Sequence, residues 1–121
     1  MKIVKFEDIE AWKEARILVR EIYNLCKNIK DYNFVNQITR ASVSVMNNIA
    51  EGFDRHSNKE FIQFLVISRG SISEVKSLLY VALDVGYLNK SEFESLYNRC
   101  NKIANLINGF IRYLRNSSRK H

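Results

Sequence analysis

Hydrophobic side chains recur at alternating spacings of three and four residues along nearly the whole chain, a pattern typical of amphipathic helices. Four segments carry it, at about residues 8–28, 33–51, 57–85 and 91–114, and only short connections separate them. The absence of proline and the presence of only four glycines favour long uninterrupted helices. Because short connections favour antiparallel neighbours, the pattern predicts an all-α, up-down-up-down four-helix bundle.

Capping residues predict where these helices begin and end. Glycines at positions 52 and 86 suit the left-handed backbone position that follows many helices. Candidate N-caps are Asp8, Asp31 or Asn33, Ser57 and Ser91, the last two in capping boxes with Glu60 and Glu94.

The second helix has two apolar stripes, whereas a surface helix of a monomer needs only one. The first comprises Val35, Ile38, Ser42, Val45 and Ile49, and the second comprises Thr39, Val43, Met46 and Ala50. Two stripes indicate either a deeply buried helix or a helix with one face for the core and another for a partner subunit. The sequence therefore predicts an assembly of several copies.

The third and fourth helices add two further packing predictions. Gly70 lies in the middle of the third helix among the small residues Ser68, Ser71 and Ser73, and such a cluster usually allows another helix to come close. The fourth helix has a single apolar seam, formed by Phe93, Leu96, Cys100, Ile103, Ile107, Phe110 and Leu114.

The positive charge is concentrated at the C-terminal end. The 121 residues fit one domain, 1–121, and carry a net charge of +6. Residues 1–94 contain thirteen basic and thirteen acidic side chains, whereas residues 95–121 contain six basic side chains and no acidic one. A basic tail begins at about residue 115. One-sided positive charge is typical of proteins that bind polyanions, and also of tails that only keep a protein soluble.

The fourth helix has a polar face opposite its apolar seam. The amides and cations of this face can hydrogen-bond phosphates and sugars without a repelling carboxylate. The face contains Asn98, Asn101, Asn105, Asn108 and Asn116, and the candidate nucleic-acid contacts are Arg99, Lys102, Arg112, Arg115, Arg119 and Lys120. Further contacts at the rim of an assembly are Arg55, His56 and Lys59. The alternative is a solvated helix face whose composition happens to be basic.

A second set of polar residues is predicted to serve structure and assembly. Arg40 and Glu51 are eleven residues apart, so they share a face of helix 2 and suit an ion pair across subunits. Asn47 and Asn48 are expected to bond to Ser71 or to the backbone of helix 3, as buried amides that fix the packing register. Gly70 belongs to the same set.

No residue pattern indicates catalysis, a metal or a cofactor. Asp54, His56 and Ser57 are neighbours in one loop, where their side chains do not align as a catalytic triad, and Ser57 is needed as a cap. Cys26 and Cys100 are expected to pack in the core. The first residues lack the apolar region of a signal peptide, and no run approaches the roughly 20 apolar residues that span a bilayer. The expected setting is cytoplasmic.

Several blocks of the sequence, in order, resemble the bacterial four-helix-bundle proteins that are encoded in intervening sequences of 23S ribosomal RNA genes. The similar blocks are Phe6–Lys13, Arg40–Ser44, Asn48–Gly52, Ser57–Phe61, Gly70–Glu74 and Gly86–Leu88. Two departures are Thr39, where the family often has a second basic residue, and the lack of a proline before helix 2. The first weakens the case for paired basic contacts on helix 2.

The resemblance implies a four-helix bundle that assembles as a homopentameric ring, and no established catalytic residue. It also implies a relation to the accessory proteins of diversity-generating retroelements, which bind a reverse transcriptase and nucleic acid. The sequence therefore predicts a non-enzymatic homo-oligomer that binds nucleic acid, with structured RNA as the expected partner. The alternative is an adaptor that binds a protein such as a reverse transcriptase.

Overall fold

Four helices make up most of residues 3–117, the part of the chain that the computed structural model describes. After a 3₁₀ turn at Phe6–Asp8 come α1 (Glu10–Cys26), α2 (Tyr32–Phe53), α3 (Asn58–Asp84) and α4 (Lys90–Arg115). Each helix packs against the next along the chain, and α4 also packs against α1. The structure is therefore helical as predicted, with no strand in the described range.

The predicted apolar seams meet in one core. In α2 the first stripe is buried from Ile38 to Ile49, and Val35 at its start is half-buried. In α4 the seam is buried as predicted except at one position, where Ile111 is buried and Phe110 is only half-buried. Both cysteines lie in this core, as expected from their positions on the seams.

The second stripe of α2 lies at the junction with α1. Thr39 is buried, Met46 packs against the core, and Val43 and Ala50 are half-buried. The bundle itself therefore covers part of the second stripe, for which the sequence pattern allows a contact with a partner subunit. A group of exposed apolar side chains lies on α3 at Val66, Ile67 and Val81, and just after it at Val85.

Two predicted N-caps are confirmed. The Asp31 side chain accepts a hydrogen bond from the Phe34 backbone N–H at 3.2 Å, and Ser57 accepts one from the Glu60 N–H at 3.2 Å. In the described structure Ser57 caps α3 without the return bond from the Glu60 side chain that a full capping box requires.

The other two N-cap predictions are wrong. Asp8 belongs to the 3₁₀ turn, so the N-cap of α1 is Ile9, which offers no side-chain acceptor. Helix α4 begins one residue before Ser91, because Asn89 is its N-cap and forms a reciprocal capping box with Glu92.

Of the two glycines predicted to end helices, only Gly86 adopts the left-handed conformation, with φ of +84°. The prediction for Gly52 is wrong, because this residue lies inside α2. A Cβ atom there would be 2.8 Å from both Phe61 Cδ1 and Phe64 Cβ, closer than packed carbon atoms allow. Gly52 therefore permits the close approach of α3 to the end of α2.

Hydroxyl groups connect α2 and α3 farther along the contact. Ser68 Oγ donates to the Val45 carbonyl at 2.7 Å, and the hydroxyls of Ser44 and Ser71 lie 2.8 Å apart. Asn48 Nδ2 donates to the backbone and side chain of Ser44, so it reaches Ser71 only through that residue. The prediction that Asn47 and Asn48 bond to helix 3 as buried amides is therefore wrong: Asn47 is exposed, and Ser71 is bonded by Ser44 instead.

The prediction that Gly70 admits a neighbouring helix is not met within the chain. Gly70 is exposed, and a Cβ atom built on it would meet nothing within 4 Å in the described structure.

Candidate nucleic-acid interface

The first two cations of the α4 face are engaged by carboxylates of α1. Arg99 Nη1 lies 2.6 Å from Glu14 Oε1, and Arg99 Nε lies 2.8 Å from Glu21 Oε1. Lys102 Nζ lies 3.2 Å from Glu14 Oε2. The sequence prediction of a face free of carboxylates fails here, because the neighbouring helix supplies them. Arg99 and Lys102 are consequently less available to a phosphate than their positions on the polar face of α4 indicated.

Arg112 and Arg115 remain available at the other end of α4. Both side chains are exposed, and neither forms an ion pair with any residue between 3 and 117. They occupy the last turn of the helix, where the partial negative charge of the helix end stabilises cations. The predicted contacts Arg119 and Lys120 lie outside the described residues.

One amide of this face is also engaged by another side chain. Asn98 and Asn105 are exposed, whereas Asn108 Oδ1 accepts a hydrogen bond from Arg69 Nη1 at 2.8 Å. The surface that remains free for a ligand is therefore smaller than the sequence predicted, and its charge lies at the end of α4.

The predicted rim residues lie at that same end of the bundle. Lys59 and Arg115 border one open surface cavity of about 500 Å³. The guanidinium carbon of Arg55 lies 4.5 Å from the centre of the Phe64 ring, a cation–π contact that holds the side chain over α3. His56 is exposed beside it. We define the basic end as Arg55, His56, Lys59, Arg112 and Arg115.

Asn58 joins the two helices that build the basic end. Its side chain is buried, with only 9% exposure, and Nδ2 donates to the carbonyls of Leu114 at 3.3 Å and Ser117 at 3.5 Å. The first residue of α3 thus binds carbonyls at and just after the C-terminal end of α4. This fixes Lys59 beside Arg115. Exposed acidic residues at the same end are Asp54 and Glu60 near the start of α3, and Glu7, Asp8 and Glu10 around the start of α1.

The predicted assembly residues on α2 share one outward face. Arg40, Asn47 and Glu51 border an open cavity of about 460 Å³ together with Tyr23 of α1. In the described part of the chain, none of the three α2 side chains forms a hydrogen bond or an ion pair. The predicted ion pair of Arg40 or Glu51 with another subunit stays a prediction, because the structure contains a single chain.

The two cysteine thiols, the most nucleophilic groups of the chain, are buried in the core. Burial raises the pKa of the Cys100 thiol to about 12, and burial also raises the pKa of the Cys26 thiol. Both are therefore poor nucleophiles near neutral pH. Among residues 3–117, no three His, Cys, Asp or Glu side chains are grouped so that they could hold a metal ion. None of the described helices is both long and apolar enough to cross a bilayer.

The sequence profile of the 23S rRNA-intervening sequence protein family matches residues 7–109. Among solved structures, the chain is similar to a protein of unknown function from the S23 ribosomal protein family of Bacteroides thetaiotaomicron. The two share 24% identity with a TM-score of 0.79, over 84% of this chain and 98% of the other, which shows a common fold. No curated protein matches the chain. The chain belongs to the 23S rRNA-intervening sequence protein family.

Proposed function

We propose that this protein is a non-enzymatic homo-oligomer that binds RNA through its basic end. The observation that supports this most is the position of Lys59 and Arg115, which border one cavity from α3 and α4 without a described ion-pair partner, with the exposed Arg112 one turn before Arg115. The family name refers to 23S rRNA, so structured RNA is the proposed partner. Such contacts bind phosphates and position the protein without reading a base sequence.

The proposed assembly is a ring of five copies, as the family resemblance implies. Exposed apolar side chains support self-association, because a second copy could cover them. Val66 and Ile67 precede the exposed Gly70 on α3, and Val81 and Val85 follow it. In such a ring each copy would present its basic end to the same RNA. Several weak contacts would then act together through their high effective concentration.

A salt titration of RNA affinity tests the proposal. Each neutralised phosphate contributes about 0.9 to the slope of log affinity against log salt on a duplex. We expect Arg112→Gln with Arg115→Gln to reduce that slope by about 1.8 and to weaken binding at low salt. The control is Lys30→Gln with Lys90→Gln, which removes the same charge at the opposite end of the bundle. Equal effects of the two double variants would refute binding through the basic end.

A protein-binding adaptor, such as an accessory subunit of a reverse transcriptase, is the second candidate. The exposed apolar side chains of α3 favour it as well, because a different protein could cover them. This alternative expects binding that changes little with salt, and a chain that sediments as a monomer when it is alone.

A further inference from the structure

The charges of α1 are separated onto two sides of the helix. All three of its carboxylates form ion pairs, Glu10 with Lys13 and the other two, Glu14 and Glu21, with α4. The cations Arg16, Arg20 and Lys27 recur at spacings of four and seven residues on the other side, where they are exposed and unpaired in the described structure. The balanced charge of residues 1–94 therefore conceals a positive surface.

Helix α2 extends this surface without neutralising it. Arg40 is exposed and unpaired among residues 3–117, and the only carboxylate in α2 is Glu51, three turns away. We define the α1–α2 surface as Arg16, Arg20, Tyr23, Lys27 and Arg40. It differs from the basic end in the helices that build it, and the charge count along the sequence does not reveal it.

An aromatic ring lies among these cations. Tyr23 is 52% exposed and borders the cavity of about 460 Å³ together with Arg40 and Asn47. Because Asn47 and Glu51 have no described partners, an amide and a carboxylate at this cavity are free to hydrogen-bond the edge of a base. Aromatic rings interleaved with cations are typical of surfaces that bind single-stranded nucleic acid.

The spacing of the cations suits a strand that runs along α1. At 1.5 Å per residue, Arg16 and Arg20 lie about 6 Å apart along the axis, and Arg20 and Lys27 about 10 Å apart. These distances correspond to about two and three steps of a stacked strand at 3.4 Å per phosphate.

We propose that the α1–α2 surface binds an unpaired segment of RNA, with one base stacked on Tyr23 in the cavity and phosphates contacted by Arg16, Arg20, Lys27 and Arg40. This inference rests on the proposed RNA-binding function and adds to it a second site and a preference for unpaired nucleotides. A base inside a duplex is already stacked and paired, so it cannot enter the cavity.

The stacking contact is tested with fluorescein-labelled oligouridine and, separately, an RNA duplex of the same length, by fluorescence anisotropy. We expect Tyr23→Ala to weaken oligouridine binding by about 5- to 100-fold, the loss typical of one base–aromatic stack, and to leave duplex binding unchanged. Tyr23→Phe retains the ring and should bind as the unchanged protein does. Tyr80→Ala is the control for removing an exposed ring elsewhere, since Tyr80 is 49% exposed on α3, although its ring also packs against Phe93 and Tyr97. Helical circular dichroism checks that every variant is folded.

The phosphate contacts are tested with Arg20→Gln and Arg40→Gln together. We expect the salt slope for oligouridine to fall by about 1.4, or about 0.7 for each cation on a single strand. Oligodeoxyuridine with a terminal label, measured in parallel, shows whether the 2′-hydroxyl contributes to binding.

Two results would overturn the inference. If Tyr23→Ala and the Arg20/Arg40 variant bind oligouridine normally while the Arg112/Arg115 variant does not, RNA binds only at the basic end and the proposed function stands. If they change the sedimenting mass but not RNA affinity, the α1–α2 surface is a contact between copies. Binding of RNA by neither surface would overturn the proposed function as well.

Discussion

Replacing Gly52 with alanine tests the close approach of α2 and α3 at the end of the bundle. The added Cβ would lie 2.8 Å from Phe61 Cδ1 and from Phe64 Cβ. Phe61 is fully buried and packs edge-on against Phe53 and Phe110, with ring centres 6.2 and 5.2 Å away. Neither contacted atom is the free end of a flexible side chain, so the helices themselves must move apart.

The expected free-energy change has two terms of opposite sign. Overpacking a core typically costs about 1–3 kcal/mol. Alanine in a helix interior is favoured over glycine by about 1 kcal/mol, and this gain applies because Gly52 has a helical conformation. The sum is a loss of about 1 kcal/mol. Gly70→Ala is the matched control, because it receives the same gain with no atom within 4 Å.

Urea and thermal unfolding of the two variants measure the difference. The two variants should differ by about 2 kcal/mol in the free energy of unfolding, since the propensity gain cancels. For 121 residues, 1 kcal/mol corresponds to about 4 °C in Tm, so the midpoints should differ by about 8 °C. Equal stability of the two variants would show that α3 does not approach Gly52 as described. Repeating both measurements at a second protein concentration separates any effect of Gly70→Ala on assembly.

Three further predictions concern one thiol, one hydrogen bond and the two ion pairs of Glu14. Because burial raises the pKa of Cys100 to about 12, its thiol should react with a thiol reagent only after unfolding, and rapid labelling of the native protein would contradict this. Tyr87 Oη donates to Asp31 Oδ2 at 2.7 Å and lowers the pKa of Asp31, so Tyr87→Phe should raise that pKa in an NMR titration. The lowered pKa stabilises the fold above the unfolded value of about 3.9, and this contribution disappears as the pH falls through the folded value; the stability difference between the two proteins should therefore shrink in acid. Glu14→Gln should cost about 1–2 kcal/mol of stability yet strengthen RNA binding and steepen its salt dependence, because it releases Lys102 and leaves Arg99 paired with Glu21 alone; unchanged affinity would exclude Lys102 as a contact.

The fold could be predicted because each helix carries its core seam in its own sequence. A periodic stripe such as Ile38 to Ile49 shows which face is buried before any partner is known. The function of Gly52 could not be predicted in the same way. A left-handed helix end and a close helix contact both require the absence of Cβ, and the deciding atoms belong to Phe61 and Phe64 on another helix.

The distribution of charge was harder to predict than the fold. A count of charged residues along the sequence leaves the cations of α4 without nearby carboxylates. In the folded structure, Glu14 and Glu21 of α1 form ion pairs with Arg99. The same pairing leaves Arg16 and Arg20 unopposed in a segment with no net charge. The available signal was the seven-residue spacing of the two glutamates, which places both on one side of α1, toward a neighbouring helix.

Hydrogen bonds between residues far apart in the sequence hold both ends of the bundle. Asn58 binds the end of α4, and at the opposite end Tyr87, from the connection before α4, binds Asp31, from the connection before α2. Axial sliding of α3 past α4 would break the first bond and sliding of α2 past α3 the second, while the ion pairs of Glu14 and Glu21 hold α1 to α4, so the distance between the two positive surfaces is fixed. A transcript that contacts both has to bridge that span. Affinity should then rise abruptly at a threshold oligonucleotide length instead of increasing evenly with every added nucleotide.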